Sequence, residues 1–159
     1  MECPELLNFC PNRSNVIRAF SLGPVDFEPT RESTITATLY GDTAGSLAGK
    51  EKGLAQTLVA DDQNNQVYGD AGIAITDTAR GGDDTLNGGN NTSNYLIGDA
   101  AYLSGKAVGG NDALTGGNFS NAYTYSGENW LYGDAGREIS GYAHGGNDKL
   151  TGGVGLSGS

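Results

Sequence analysis

Three near-identical nonapeptide phrases recur along this 159-residue chain and constrain its fold more than any other feature. Each phrase begins and ends with two glycines and places an aspartate two residues before a leucine. Glycine permits a tight turn, aspartate offers a hard oxygen ligand, and an inward-facing leucine suits a short strand. The phrases occupy residues 81–89, 109–117 and 145–153, and their aspartates are Asp84, Asp112 and Asp148.

A second phrase, in which Gly-Asp follows a short apolar pair, alternates with the first. A third, weaker element between them carries one aliphatic residue per unit. Each unit of about 28 residues therefore contains three short strands, a pattern typical of solenoids whose coils bury their faces only by stacking. We predict an all-β chain: a β-solenoid or parallel β-roll of about four coils. The aspartates of the second phrase are Asp42, Asp70, Asp99 and Asp134, and the aliphatics of the third element are Leu47, Ile75, Leu103 and Ile139.

The spacing also predicts the boundaries of the solenoid. Both aspartate series lengthen in the same interval, so a single insertion near residues 118–128 explains both. The first unit, residues 39–66, keeps the spacing but has Gln56 where the next unit has Asp84, so it is predicted to be poor in metal. Residues 1–33 lack the repeat and are predicted to be a cap or assembly arm, with the solenoid spanning 34–159.

The glycine-rich phrases resemble the repeats-in-toxin (RTX) family of calcium-binding nonapeptides, whose consensus is Gly-Gly-x-Gly-x-Asp-x-aliphatic-x. In that family, aspartate side chains and glycine carbonyls of successive turns enclose Ca²⁺, and a parallel β-roll forms when calcium binds. The resemblance implies Ca²⁺ as the cofactor, and sites that draw on both aspartate series are expected here. The candidate ligands are Asp70, Asp83, Asp84, Asp99, Asp112, Asp134, Asp148, Asn94, Asn111, Asn129, Asn147, Gly82, Gly110 and Gly146.

Charge and composition narrow the possible partners. The chain has 19 acidic and 9 basic residues and a net charge of −10, which argues against nucleic acid as a partner. No apolar run approaches the roughly 20 residues of a membrane helix, and no ordinary signal peptide is visible. A bound divalent cation would neutralise the carboxylates and add its binding free energy to folding. Cys3 and Cys10 are compatible with a disulfide or with two free thiols.

No constellation of catalytic residues is apparent, so we do not predict an enzyme. His144 is the only histidine and falls in a glycine-rich turn. Tyr40, Tyr68 and Tyr132 share one register and point outward, which favours packing along the solenoid over a glycan-binding stripe.

These features predict an extracellular, calcium-binding structural protein that associates with itself, end to end, into a filament or surface layer. One alternative is a calcium-folding RTX module of a larger secreted adhesin, toxin or enzyme. Another is an ice-binding β-solenoid, suggested by the alternating threonines Thr34, Thr36 and Thr38.

Overall fold

The structure, a computed structural model, describes residues 37–63, 65–120 and 127–155 as twelve short β-strands without a helix. No helix in this part of the chain is long and apolar enough to cross a membrane. The predicted N-terminal arm, both cysteines and Thr34 to Thr36 lie outside the described residues. The strands are β1 (Ala37–Tyr40), β2 (Ser46–Leu47), β3 (Thr57–Val59), β4 (Asn65–Tyr68), β5 (Ala71–Ile75), β6 (Thr85–Asn87), β7 (Asn94–Ile97), β8 (Ala100–Leu103), β9 (Ala113–Thr115), β10 (Asn129–Tyr132), β11 (Ala135–Ile139) and β12 (Lys149–Thr151).

The twelve strands form three four-stranded parallel sheets, and every coil contributes one strand to each sheet. The first sheet has the order β1-β4-β7-β10, the second β2-β5-β8-β11 and the third β3-β6-β9-β12. The first coil is β1 to β3, and the fourth is β10 to β12. This arrangement confirms the predicted all-β solenoid of about four coils.

The register confirms the predicted insertion. Asn94 pairs with Asn65 of the preceding coil, 29 residues away, and with Asn129 of the next coil, 35 residues away. Before the insertion the spacing is still short, because Asn118 donates its backbone N–H to Asn90 Oδ1, 28 residues earlier. The additional residues therefore lie between Asn118 and Asn129.

Aliphatic side chains from successive coils stack into two apolar clusters inside the solenoid. In the second sheet, Leu47, Ile75 and Leu103 pair in register and pack with buried alanines. The other cluster combines residues of the first and third sheets, including Leu86 and Leu96, which are fully buried. Because strand side chains alternate between faces, these residues point inward and leave their neighbours outside.

The turn after the second sheet requires a left-handed backbone in each coil. Gly49, Gly105 and Gly141 adopt positive φ there, and Asp77 takes the same conformation with φ of 58°. The Asp77 carboxylate accepts a hydrogen bond from the Gly49 N–H at 3.1 Å, which ties this turn to the preceding coil. Aspartate tolerates the left-handed region better than most residues with a β-carbon.

Aromatic side chains pack on the outer surface of the first sheet. Tyr40 and Tyr68 stack with ring centroids 5.5 Å apart, and Tyr68 is buried against Ile97 and Ala101. Tyr132 packs against the same cluster. These contacts agree with the prediction that the tyrosines pack along the solenoid.

Candidate metal site

Two columns of aspartates run inside the solenoid, parallel to its axis. The first column follows the strands of the first sheet and includes Asp70 and Asp99, which are completely buried. The second column precedes the strands of the third sheet and includes Asp84 and Asp112, each only 2% exposed. The end members, Asp42, Asp134 and Asp148, are half-buried because they lie in the first and last coils.

In the first column, one oxygen of each carboxylate is held by a glycine N–H from later in the same coil. Asp70 Oδ1 accepts from Gly82 N at 2.9 Å, and Asp99 Oδ1 accepts from Gly110 N at 2.7 Å. Gly146 N donates in the same way to Asp134 Oδ1. These glycines, predicted as metal ligands, therefore use their N–H groups to orient the carboxylates.

In the second column, the corresponding oxygens connect one coil to the next. Asp84 Oδ1 accepts from Gln56 N at 2.7 Å, and Asp112 Oδ1 accepts from Asp84 N at 2.7 Å. Asp148 Oδ1 continues the series by accepting from Asp112 N at 2.9 Å. At the corner that precedes the third sheet, these side-chain hydrogen bonds take the place of backbone-to-backbone bonds between coils. They fix each carboxylate against the preceding coil.

The second oxygen of the four buried aspartates has no hydrogen-bond partner among the residues that the structure describes. These atoms are Oδ2 of Asp70, Asp84, Asp99 and Asp112, and all four are inaccessible to solvent. Burying an ionised carboxylate without a hydrogen-bond donor or a cation beside it lowers the free energy of unfolding by several kcal/mol. The arrangement calls for a proton, a cation or another hydrogen-bond donor at these oxygens.

Burial is the main cause of the raised pKa values in both columns. It raises the pKa of Asp84 to about 6 and that of Asp112 to about 7, and neighbouring carboxylates add to both increases while backbone donors oppose them. Burial likewise raises the pKa of Asp70 and Asp99, each of which also lies near charged members of the other column. The electrostatic field inside this corner therefore favours positive charge.

Glycine is required beside these oxygens. A β-carbon on Gly98 would collide with the carbonyl oxygen of Gly133 and with Asp112 Oδ2. One on Gly69 would collide in the same way with the Gly98 carbonyl oxygen and Asp84 Oδ2. At each glycine, a backbone carbonyl oxygen and an unpartnered carboxylate oxygen thus approach the same small space.

The donor set agrees with a hard cation. Carboxylate and carbonyl oxygens are the ligands of Ca²⁺, which takes six to eight of them, whereas zinc sites use cysteine and histidine. Within the described ranges, no group of three or more His, Cys, Asp or Glu side chains could hold a metal ion as placed. Calcium would therefore be held by one or two carboxylates together with glycine carbonyls. The residues fit calcium on this basis, and the unpartnered Oδ2 atoms are the observation that supports the fit.

Three predicted ligands lie on the outer surface instead. Asp83, Asn111 and Asn147 are exposed and form a ladder of their own. Asn111 N donates to Asp83 Oδ1 at 2.8 Å, and Asn147 N donates to Asn111 Oδ1 at 2.9 Å. Each of these residues precedes a member of the second column, so alternation turns its side chain outward.

Asn94 and Asn129, also predicted as ligands, belong to a separate internal ladder. Asn94 Nδ2 donates to Asn129 Oδ1 at 2.8 Å, and Asn65 Nδ2 donates to Asn94 Oδ1 at 3.2 Å. The Asn94 amide also exchanges hydrogen bonds with the backbone of Gly89. These amides are therefore used to hold the turn after the third sheet, and the structure does not bring them to the aspartate columns.

Two parts of the site were missed by sequence reasoning. These are the carbonyl groups of Gly98 and Gly133, and the side chain of Gln56, which enters the second column in the first coil. A signal existed for the glycines, because one precedes every aspartate of the first column. No comparable signal marks Gln56, which the sequence comparison identifies only as the replacement of a ligand.

Comparisons with protein-family models, with curated proteins and with solved structures found no match to this chain. Support for a function therefore comes from the chain's own residues.

His144 is exposed in an outer turn and forms an isolated β-bridge with Val108.

We expect Gly98→Ala to destabilise the protein by about 3 kcal/mol, because its new methyl group would overlap backbone atoms that cannot move independently. It should also lower calcium affinity, since the methyl group occupies the space beside Asp112 Oδ2. Urea unfolding and calcium titration measure the two effects. Gly45→Ala is the control, because its β-carbon meets only Thr43 Oγ1 at 3.4 Å. Equal stability of the two variants would contradict the proposed close contact.

Proposed function

We propose that this protein is a calcium-stabilised structural β-solenoid that works outside the cell. The observation that supports the proposal is the set of four buried, unpartnered carboxylate oxygens in the two aspartate columns. A chain of net charge −10 would fold more readily when cations occupy these positions. Extracellular calcium, at millimolar concentration, matches the weak affinities typical of extracellular calcium modules.

In this proposal, bound calcium supplies the positive charge that the buried carboxylates lack. Asp70, Asp84, Asp99 and Asp112 would bind it through Oδ2, since Oδ1 already accepts a backbone N–H in each case. Those backbone donors hold the carboxylates in fixed orientations before the ion arrives. The protein therefore contributes a preorganised row of carboxylate oxygens. The proposed function of the folded solenoid is structural.

Adjacent aspartates on opposite faces offer a matched test. Asp84 lies in the second column, whereas Asp83 is exposed on the outer ladder. We expect Asp84→Asn to weaken calcium binding at least tenfold, which is about 1.4 kcal/mol, because the amide keeps the shape but removes the charge. Asp83→Asn should change the affinity less than twofold. Isothermal titration calorimetry measures both.

The same pair of variants also tests whether the Asp84 carboxylate destabilises the calcium-free protein and stabilises the calcium-bound one. In a chelator, Asp84→Asn should unfold at a higher urea concentration than wild type, because it removes a buried, uncompensated charge. In saturating calcium, the order should reverse. If Asp83→Asn and Asp84→Asn bind calcium equally, the internal columns are not the binding site.

Self-assembly is a second candidate function. Within the described residues, each sheet ends on β1, β2 or β3 at one end and on β10, β11 or β12 at the other. Ile139 and Leu150 of the fourth coil are 44% and 49% exposed, although their counterparts in the middle coils are buried. We infer that the predicted assembly arm of another copy, residues 1–33, would cover these positions by strand addition. A repeated head-to-tail contact of this kind builds a filament.

We expect the 159-residue chain to grow into larger particles in calcium at high concentration. Deletion of residues 1–33 should stop this growth and leave calcium binding intact, since the aspartate columns lie far along the chain. Light scattering and calorimetry measure the two properties. A chain that stays monomeric in saturating calcium favours the alternative, a calcium-folding module of a larger secreted protein.

The register does not favour ice binding. Thr38 pairs with Gln66, and the same outward column continues with Tyr95 and Trp130. Ice binding would need a threonine row that recurs in each coil, and this column has threonine only in the first.

A further inference from the structure

The first coil carries a glutamine where the other three carry an aspartate of the second column. Thr57 pairs with Thr85, Thr85 with Ala113 and Ala113 with Lys149, so Gln56 stands in register with Asp84, Asp112 and Asp148. The glutamine side chain also takes the corresponding position inside the corner. A β-carbon on Gly41 would meet Gln56 Oε1, as one on Gly69 would meet Asp84 Oδ2. Gln56 is thus a structural replacement for the aspartate as well as a sequence substitution.

This replacement satisfies the carboxylate beside it. Gln56 Nε2 donates to Asp42 Oδ1 at 2.6 Å, and Leu54 N donates to Asp42 Oδ2 at 3.0 Å. Both oxygens of Asp42 therefore have a partner. In the next coil, Asp70 has a backbone donor on Oδ1, while its Oδ2 has none.

The difference follows from what each side chain can donate. An ionised aspartate only accepts hydrogen bonds, whereas a glutamine amide provides two N–H donors. The second and third coils each place two carboxylates in the corner and leave Oδ2 of both unpartnered. The first coil places one carboxylate there and pairs it with a neutral donor.

We propose that the amide of Gln56 takes the place of a calcium ion in the first coil and ends the ion row at that coil. The row then begins at Asp70 and Asp84 and continues through Asp99 and Asp112. This inference rests on the proposed function and makes it more specific, because it states which coils take cations and which one does not.

Restoring the aspartate tests the inference. Gln56→Asp should bind one more calcium ion per chain than wild type, and in a chelator it should unfold at a lower urea concentration. Gln56→Ala is the matched control, because it removes the amide donor without adding a carboxylate and should bind no additional ion. Calorimetric stoichiometry and urea unfolding measure these changes.

The reciprocal change guards against a variant that fails to fold. Asp112→Gln should bind one calcium ion fewer than wild type and should be more stable than Asp112→Ala in a chelator, because its amide can donate to Asp99. If wild type binds calcium and neither Gln56→Asp nor Asp112→Gln changes the ion count, the role of Gln56 is wrong while the proposed function stands. A wild-type chain that binds no calcium removes both.

Discussion

Removal of calcium is expected to destabilise the solenoid strongly. The chain has few aliphatic residues to bury, and its interior holds four carboxylates whose buried Oδ2 atoms have no hydrogen-bond partner among the described residues. Without a cation, the mutual repulsion and the desolvation of these carboxylates oppose folding. The free energy of unfolding of a native protein is only about 5–15 kcal/mol, so this cost is a large part of it. Circular dichroism should therefore show the β-sheet signal melting at a lower temperature in a chelator, and the melting temperature should recover when calcium is added.

Magnesium is the informative control for this experiment. Mg²⁺ demands a strict octahedral geometry and releases its waters reluctantly, so it should restore the melting temperature less well than Ca²⁺. Equal recovery with both ions would indicate general charge screening by divalent cations. A spectrum and melting temperature that do not change in the chelator would contradict calcium-dependent folding.

Stability should respond to pH in opposite directions with and without calcium. In a chelator, the raised pKa values of Asp84, about 6, and Asp112, about 7, mean that the folded state holds protons that the unfolded state has released. Their ordinary pKa is 3.8, so the penalty is absent below about pH 4 and grows as the pH rises towards 7. Each such carboxylate changes the free energy of unfolding by about 1 kcal/mol per pH unit over that range. Acid should therefore stabilise the calcium-free protein.

With calcium bound, the same carboxylates are ionised, and protons compete with the metal. Lowering the pH from 7 to 5 should then lower the urea midpoint, whereas in the chelator it should raise it. Asp84→Asn should flatten both slopes, and Asp83→Asn, which changes an exposed carboxylate, should alter them much less. Parallel slopes in the two conditions would show that the buried carboxylates do not exchange protons for calcium.

Much of the fold followed from the repeat itself. Leu47, Ile75, Leu103 and Ile139 recur at matching positions, and a residue that recurs once per coil must stack on its own counterparts. The same reasoning predicts the insertion near residues 118–128, because both aspartate series lengthen together, and the register confirms it. Register in a parallel solenoid is a property of spacing, so the sequence alone predicted it.

The division of polar residues between the interior and the surface depended on the tertiary structure. Asp83 and Asp84 are chain neighbours of identical chemistry, yet one is exposed and the other is buried. The sequence predicts Asn94 and Asn129 as metal ligands, but their amides bond to one another and to glycine backbones.

The sequence by itself determined the period, the strands, the inward aliphatics and the surplus of negative charge. Only the tertiary structure decided which carboxylate oxygens lack a partner and that Gln56 donates to Asp42. The physical reason is that these contacts join residues 12 to 36 positions apart, across a corner or between coils. The local sequence pattern specifies which side chains of each strand point inward. Whether a buried polar atom finds a hydrogen-bond partner depends on the groups that the folded coils place beside it.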